Sequence, residues 1–187
     1  MNDAVAVAQK RASNVRGNRT VALAFLLVVV VVGTWFYLSH RPPELGNAVT
    51  VYYTKLDGTT LGNLSVSLRP REPGESADEH LRNAVLYAAV QAVAGPPSDV
   101  QAIRFPPGTR VQGASVSGST ATVDLSTDVE RQAGGAFGET GEFKALTYTV
   151  TAVPGITGVK ITVGGQSLPT LPGGHLELDE PLRRSDF

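Results

Sequence analysis

Residues 21–38 carry no charged side chain, and this run limits the possible folds of the chain more than any other stretch. As a helix, these 18 residues would extend about 27 Å, close to the roughly 30 Å hydrocarbon core of a bilayer. Trp35, Phe36 and Tyr37 cluster at the far end, where an interfacial aromatic belt would sit. A buried β-rich segment is the alternative, and the basic flanks argue against it. A cleaved signal peptide needs a short apolar core and a small-residue cleavage site. The segment Trp35–Pro42 offers no small-x-small pattern, so the run reads as an uncleaved signal anchor. Residues 1–20 hold Lys10, Arg11, Arg16 and Arg19 against Asp3, a net charge of +3. The positive-inside rule then places residues 1–20 in the cytoplasm and residues 39–187 outside it, on the periplasmic or cell-wall side of a single-pass protein.

The net charge of the whole chain is −1, so the part beyond residue 20 carries −4. A mildly acidic domain with scattered charge lacks the basic patch that nucleic acid requires. The chain contains no cysteine, which removes disulfides, thiolate metal sites and thiol catalysis from consideration.

Beyond a linker at residues 39–47, Val49, Val51 and Tyr53 alternate as one face of a strand, and Asp57-Gly58 marks a turn. Leu64, Val66 and Leu68 repeat the alternation, which Pro70 and Pro73-Gly74 end. Ser76 and Glu79 form a capping box ahead of the apolar stripe Leu81, Val85, Ala88 and Ala92, widened by Leu86, Ala89 and Val93. Gly95 and Pro96-Pro97 close that helix. A hairpin follows the stiff entry Phe105-Pro106-Pro107-Gly108-Thr109, with a bulge expected at Gly113. Its second strand alternates strictly: Ala121, Val123 and Leu125 against Thr122, Asp124 and Ser126. The spacing predicts a second helix from about Gly138 to Val153, with Phe143, Leu146, Val150 and Val153 inward. Thr147, Thr149 and Thr151 weaken its propensity, so packing must hold it. Val159, Ile161 and Val163 form a last strand, and a Leu- and Pro-rich tail occupies residues 169–187. The expected fold is α+β in the order β-β-α-β-β-α-β, a two-layer sandwich of one sheet with both helices on its inner face, preceded by one transmembrane helix.

Four chemistries can be weighed on this frame. Among the carboxylates Asp124, Asp128, Glu130, Glu139 and Glu142, an envelope hydrolase could pair Asp124 with Glu139 or Glu142 as acid and base. The competing reading puts Asp124 on the polar face of a strand and both glutamates in a first helical turn, where the dipole favours acids. His40, His80 and His175 have no metal-ligand spacing and read as surface residues. No serine occupies a Gly-x-Ser-x-Gly elbow. The run Gly134-Gly135-Ala136-Phe137-Gly138 lacks the lysine-serine/threonine ending of a phosphate loop and reads as a strand-to-helix connection. No catalytic, cofactor or metal residue is assigned.

Together, several of these stretches resemble one family. They are Val49–Tyr53, Ala94-Gly95-Pro96, Phe105–Thr109, Ala121–Ser126, Gly134-Gly135 with Glu139, Leu146–Thr151, Pro154-Gly155 and Val159–Gly165. The pattern is similar to the GerMN domain, named for a sporulation and spore-germination protein, over about residues 48–168. The resemblance implies an extracytoplasmic, non-catalytic α+β domain of the ring-building-motif type, found in envelope assemblies and lipoproteins. The familiar member has two tandem copies and a lipidated cysteine, whereas this chain shows one copy and no cysteine. The implied partner is an envelope protein or a cell-wall polymer. The soluble fragment is expected to be monomeric.

Overall fold

The computed structural model describes residues 21, 23–38, 45–131, 135–172 and 174–187. The chain forms two compact units, Met1–Arg41 and Pro42–Phe187. In the first, residues 23–38 are helical (α1), and the apolar side chains described there are exposed, from Leu23 and Phe25 to Trp35 and Leu38. No helix among the described residues is long and apolar enough to cross a membrane. The expected basic tail at residues 1–20 lies outside the described residues, as does most of the expected linker, residues 39–44.

The second unit runs β1 (Ala48–Thr54), β2 (Leu61–Ser67), α2 (Ala77–Ala94), β3 (Val111–Ser117), β4 (Thr120–Leu125), α3 (Gly135–Val150) and β5 (Gly158–Val163). Short 3-10 turns occur at Thr127–Glu130 and Arg184–Asp186. The period-2 patterns sort by burial as alternation requires: Ala121, Val123, Leu125 and Val159 are fully buried, with Ile161 and Val163 nearly so. Gly113 sits where the β3–β4 register shifts, so the bulge expected there is present. In α2, the Ser76 hydroxyl accepts the Glu79 N–H at 3.1 Å. Gly95, at φ 73°, donates its N–H to Gln91 O and Ala92 O. That left-handed φ suits glycine at a helix end.

The expectation of one sheet is corrected. Among the described residues β1 pairs only with β2, and β3-β4-β5 form a separate sheet in which β4 and β5 run parallel through the α3 crossover. The cause lies at the outer edge of β1. Tyr52 N–H donates to Thr149 Oγ1 at 2.8 Å, and Ile103 N–H donates to Thr54 O at 2.9 Å. Thr54 Oγ1 in turn donates to Gly141 O at 2.7 Å. A threonine of α3 thus stands where a neighbouring strand would, and the sheet stops there.

Each helix touches both sheets, and the two helices touch each other. α2 packs on β3, β4 and β1, whereas α3 lies along β1, packs on α2 and touches β5. α3 also starts three residues earlier and ends three earlier than the spacing predicted, at Gly135–Val150. Thr151, Ala152 and Val153 tighten the exit through N–H bonds to Thr147 O, Thr149 O and Val150 O, just before Pro154. The helix is buried on nearly every side, Lys144 included. Part of its cover comes from the aperiodic tail, in which Leu171, Leu178 and Leu182 are buried.

Candidate functional site

Among the carboxylates weighed for catalysis, Asp124, Asp128 and Glu139 have separate structural roles. Asp124 Oδ1 accepts Thr162 Oγ1–H and Gly165 N–H, both at 2.8 Å, which ties the end of β4 to β5 and the turn after it. Asp128 bonds the Ser126 hydroxyl and Arg131. Glu130 lies in the same 3-10 turn, half-buried. Glu139 and Glu142 are not in a first helical turn, because α3 begins at Gly135, and both are buried at 1% and 4% exposure. Glu139 Oε2 accepts His175 N–H at 2.7 Å, and Oε1 is buried against Gly174 with no hydrogen-bond partner among the described residues. An added Cβ on Gly174 would come within 2.5 Å of that oxygen, so only glycine lets the tail lie so close.

Glu142 lines an open groove with Leu56, Ile103, Phe105, Pro106 and Phe137, and Asp124 takes no part in it. Leu56 and Phe137 are each 56% exposed there. The groove is largely apolar, and the buried Glu142 is part of its lining. Gly134 of the expected glycine-rich connection lies outside the described residues, while Gly135 and Gly138 belong to α3.

His80 corrects the surface reading: it is 9% exposed, on the inner side of α2. His175 is exposed, and His40 lies outside the described residues. No group of three or more metal-ligating side chains occurs among the described residues.

Sequence reasoning missed the polar cluster around Glu75, whose carboxylate is 6% exposed. It accepts Glu72 N–H at 3.0 Å, Arg69 through two nitrogens at 2.8 and 3.2 Å, and Asn83 Nδ2–H at 2.7 Å. His80 Nδ1 stands 3.3 Å away. The run Arg69-x-x-Glu72-x-x-Glu75 is the only sequence trace of it, and it reads equally well as solvated charge. The Glu72 N–H, then Arg69 and Asn83, hold the Glu75 carboxyl down from 4.5 to about 2, against the opposing effect of burial. The folded value is depressed, so its stabilisation is complete above about pH 4.5 and is lost as pH falls through about 2. Glu75→Gln should therefore melt below the parent at pH 6, with the gap closing between pH 4.5 and 2. Thermal melts of both proteins across that window check this, and a gap independent of pH would contradict it.

A family model described as Sporulation and spore germination (Germane) matches residues 50–169. Among solved structures, the tandem GerMN domains of the sporulation protein GerM from Bacillus subtilis align with a TM-score of 0.54 at 20% identity. That alignment covers 75% of this chain and 47% of the other, so the chain spans about half the tandem structure. The first GerMN domain of the same protein aligns at 0.51 and 20% identity, over 74% of this chain and 98% of that domain. At this identity the likeness establishes a common fold. No curated protein matches the chain.

Proposed function

The chain belongs to the sporulation and spore germination family, Germane, and from that premise we propose that it is a membrane-anchored, extracytoplasmic interaction module of the bacterial cell envelope. The observation that carries the non-catalytic part is the use made of the acidic side chains. Asp124 fastens β4 to β5, Glu139 fastens the tail to α3, and Glu142 opens on a groove from which Asp124 is absent. A glycosidase-like pair would stand within about 10 Å across one cleft. Asp124 and Glu139 serve the frame instead.

The anchor is supported by the uncharged run 21–38, its aromatic end and the exposed apolar side chains of α1. Apolar surface of that extent on a helix calls for cover by lipid or protein. In this reading the Pro42–Phe187 unit faces the periplasm or cell wall and binds a protein partner or wall polymer there.

Protease added to intact spheroplasts should digest the region beyond residue 42 and spare an epitope placed on the N-terminus, and alkaline carbonate should leave the chain in the membrane pellet. Crosslinking in intact cells should then capture a discrete envelope component. Full-length protein in the soluble fraction would overturn the anchor, and failure to trap any component would overturn the interaction role.

A further inference from the structure

Deepening that reading, and resting on it, we propose that β2 is a docking strand. An extended, uncharged segment of a partner protein pairs with its free edge and places one large apolar side chain in the cavity where the strand ends.

The phase of the β1–β2 ladder identifies the free groups. Lys55 N–H donates to Thr60 O and Leu68 N–H to Asn47 O. With the observed register, Gly62, Leu64 and Val66 turn their backbone groups towards β1. Leu61, Asn63, Ser65 and Ser67 turn theirs away, with no backbone partner among the described hydrogen bonds. Edge strands are ordinarily guarded by charge, proline or a bulge. The segment Leu61–Ser67 has none of these, and its register is unbroken. The other edges are occupied or irregular: β1 is closed by Thr149 and Ile103, β3 carries the Gly113 bulge, and β5 is bridged by Leu182. The hairpin can therefore be extended on one side only.

A cavity of about 300 Å³ opens at the end of this edge. Ser67 and Leu68 form its strand side, and His80, Asn83 and Tyr87 of α2 form the other. The polar ends of Arg69 and Asn83 are held by Glu75, so the lining that remains is mainly apolar. The volume lies at the small end of the range of ligand pockets, suited to one large side chain. Ser67 belongs to both features: its backbone faces outward and it walls the cavity. A strand paired as far as Ser67 thus delivers a side chain to the cavity mouth. Backbone bonds along the edge supply affinity and the pocket supplies selectivity, as in strand addition elsewhere.

The test uses the full chain in detergent micelles and a phage-displayed library of random peptides about 12 residues long, enough to span the edge at 3.3 Å per residue. Selected peptides should share one aromatic or large aliphatic position, and a synthetic copy should slow deuterium exchange across residues 61–67. Ser65→Pro should weaken that peptide at least about tenfold, because it removes an outward N–H while sparing the bonds to β1. Ser65→Lys, which leaves the backbone unchanged, should also weaken it by charging the edge. Tyr87→Ala should change the preferred side chain without changing the protected strand. Peptides that protect the Leu56–Phe137 groove instead would overturn the docking strand and leave the interaction role standing. Binding indifferent to both Ser65 variants, self-association through residues 61–67, or an empty selection would also overturn it.

Discussion

Phe143→Ala is expected to cost the Pro42–Phe187 unit about 3–5 kcal/mol. Phe143 is fully buried near the middle of α3, and its ring meets Phe105 edge-on, with centroids 5.7 Å apart and planes at 81°. The loss combines the transfer free energy of the ring with the cavity left between a central helix and the entry to the β3–β4 hairpin. Domains of this kind have a total stability of about 5–15 kcal/mol, so the variant should be partly unfolded at growth temperature. Phe143→Leu keeps most of the volume and should cost clearly less. Urea unfolding of residues 42–187, followed by circular dichroism, measures both. A loss below about 1 kcal/mol for the alanine variant would mean that the site collapses freely and that α3 is not the centre of the core.

Glu139→Ala should act locally. The bond from His175 N–H to a buried carboxylate is of the charge-assisted kind, and removing its acceptor should cost about 1.5–3 kcal/mol. That bond is the described link between α3 and the Leu171–Leu178 segment made through a carboxylate, so the segment should open without unfolding the rest. Deuterium exchange at His175 should rise roughly tenfold or more, since each 1.4 kcal/mol is a factor of ten, while α2 stays protected. Glu139→Gln, which keeps one oxygen acceptor, should preserve most of the protection. Equal acceleration in α2 would show that Glu139 supports the whole core and not the segment alone.

The parts of the fold that could be read in the sequence are those fixed by local periodicity and local caps. Alternation in β4 and β5 carries straight through to burial, because neighbouring side chains in a strand face opposite sides. Ser76 and Gly95 mark α2 because each meets a helix-end requirement within a few residues. The split into two sheets had no such signature. It depends on distant contacts: the Thr149 hydroxyl meets a backbone group 97 residues away, and Ile103 N–H meets Thr54 O. The threonines of α3 signal weak helix propensity, and nothing local shows that one of them completes a strand edge. Glu139 was misleading for a similar reason, since an acid near a helix start suits the dipole whether it is exposed or buried. Its real partner, His175, lies in a tail without periodicity, where Leu171, Leu178 and Leu182 are buried singly from an irregular chain. Glu75 reads equally well as surface charge because its arginine, asparagine and histidine neighbours, though within eight residues, converge on it only when the turn at residues 69–75 folds back onto the start of α2.

The stack at Arg184 sets an order of events in time. Its guanidinium lies 5.6 Å from the Tyr52 ring and 5.0 Å from the Tyr148 ring, and two residues earlier Leu182 is bridged to Val159. The first strand of the domain is thus clasped by residues that leave the ribosome more than a hundred positions later. Closing so long a loop is entropically costly and slow, and it gains nothing until both ends are present. If the domain follows the proposed anchor out of the cell while the amino terminus stays inside, β1, the Leu61–Ser67 edge and the apolar side of α2 cross the membrane well before Arg184 does. During that interval the unfinished domain presents unpaired strand edges, the condition in which nascent chains aggregate or engage chaperones. Thr149 and Ile103 cover the β1 edge, Arg184 adds the last contact on Tyr52, and the Leu61–Ser67 edge stays open.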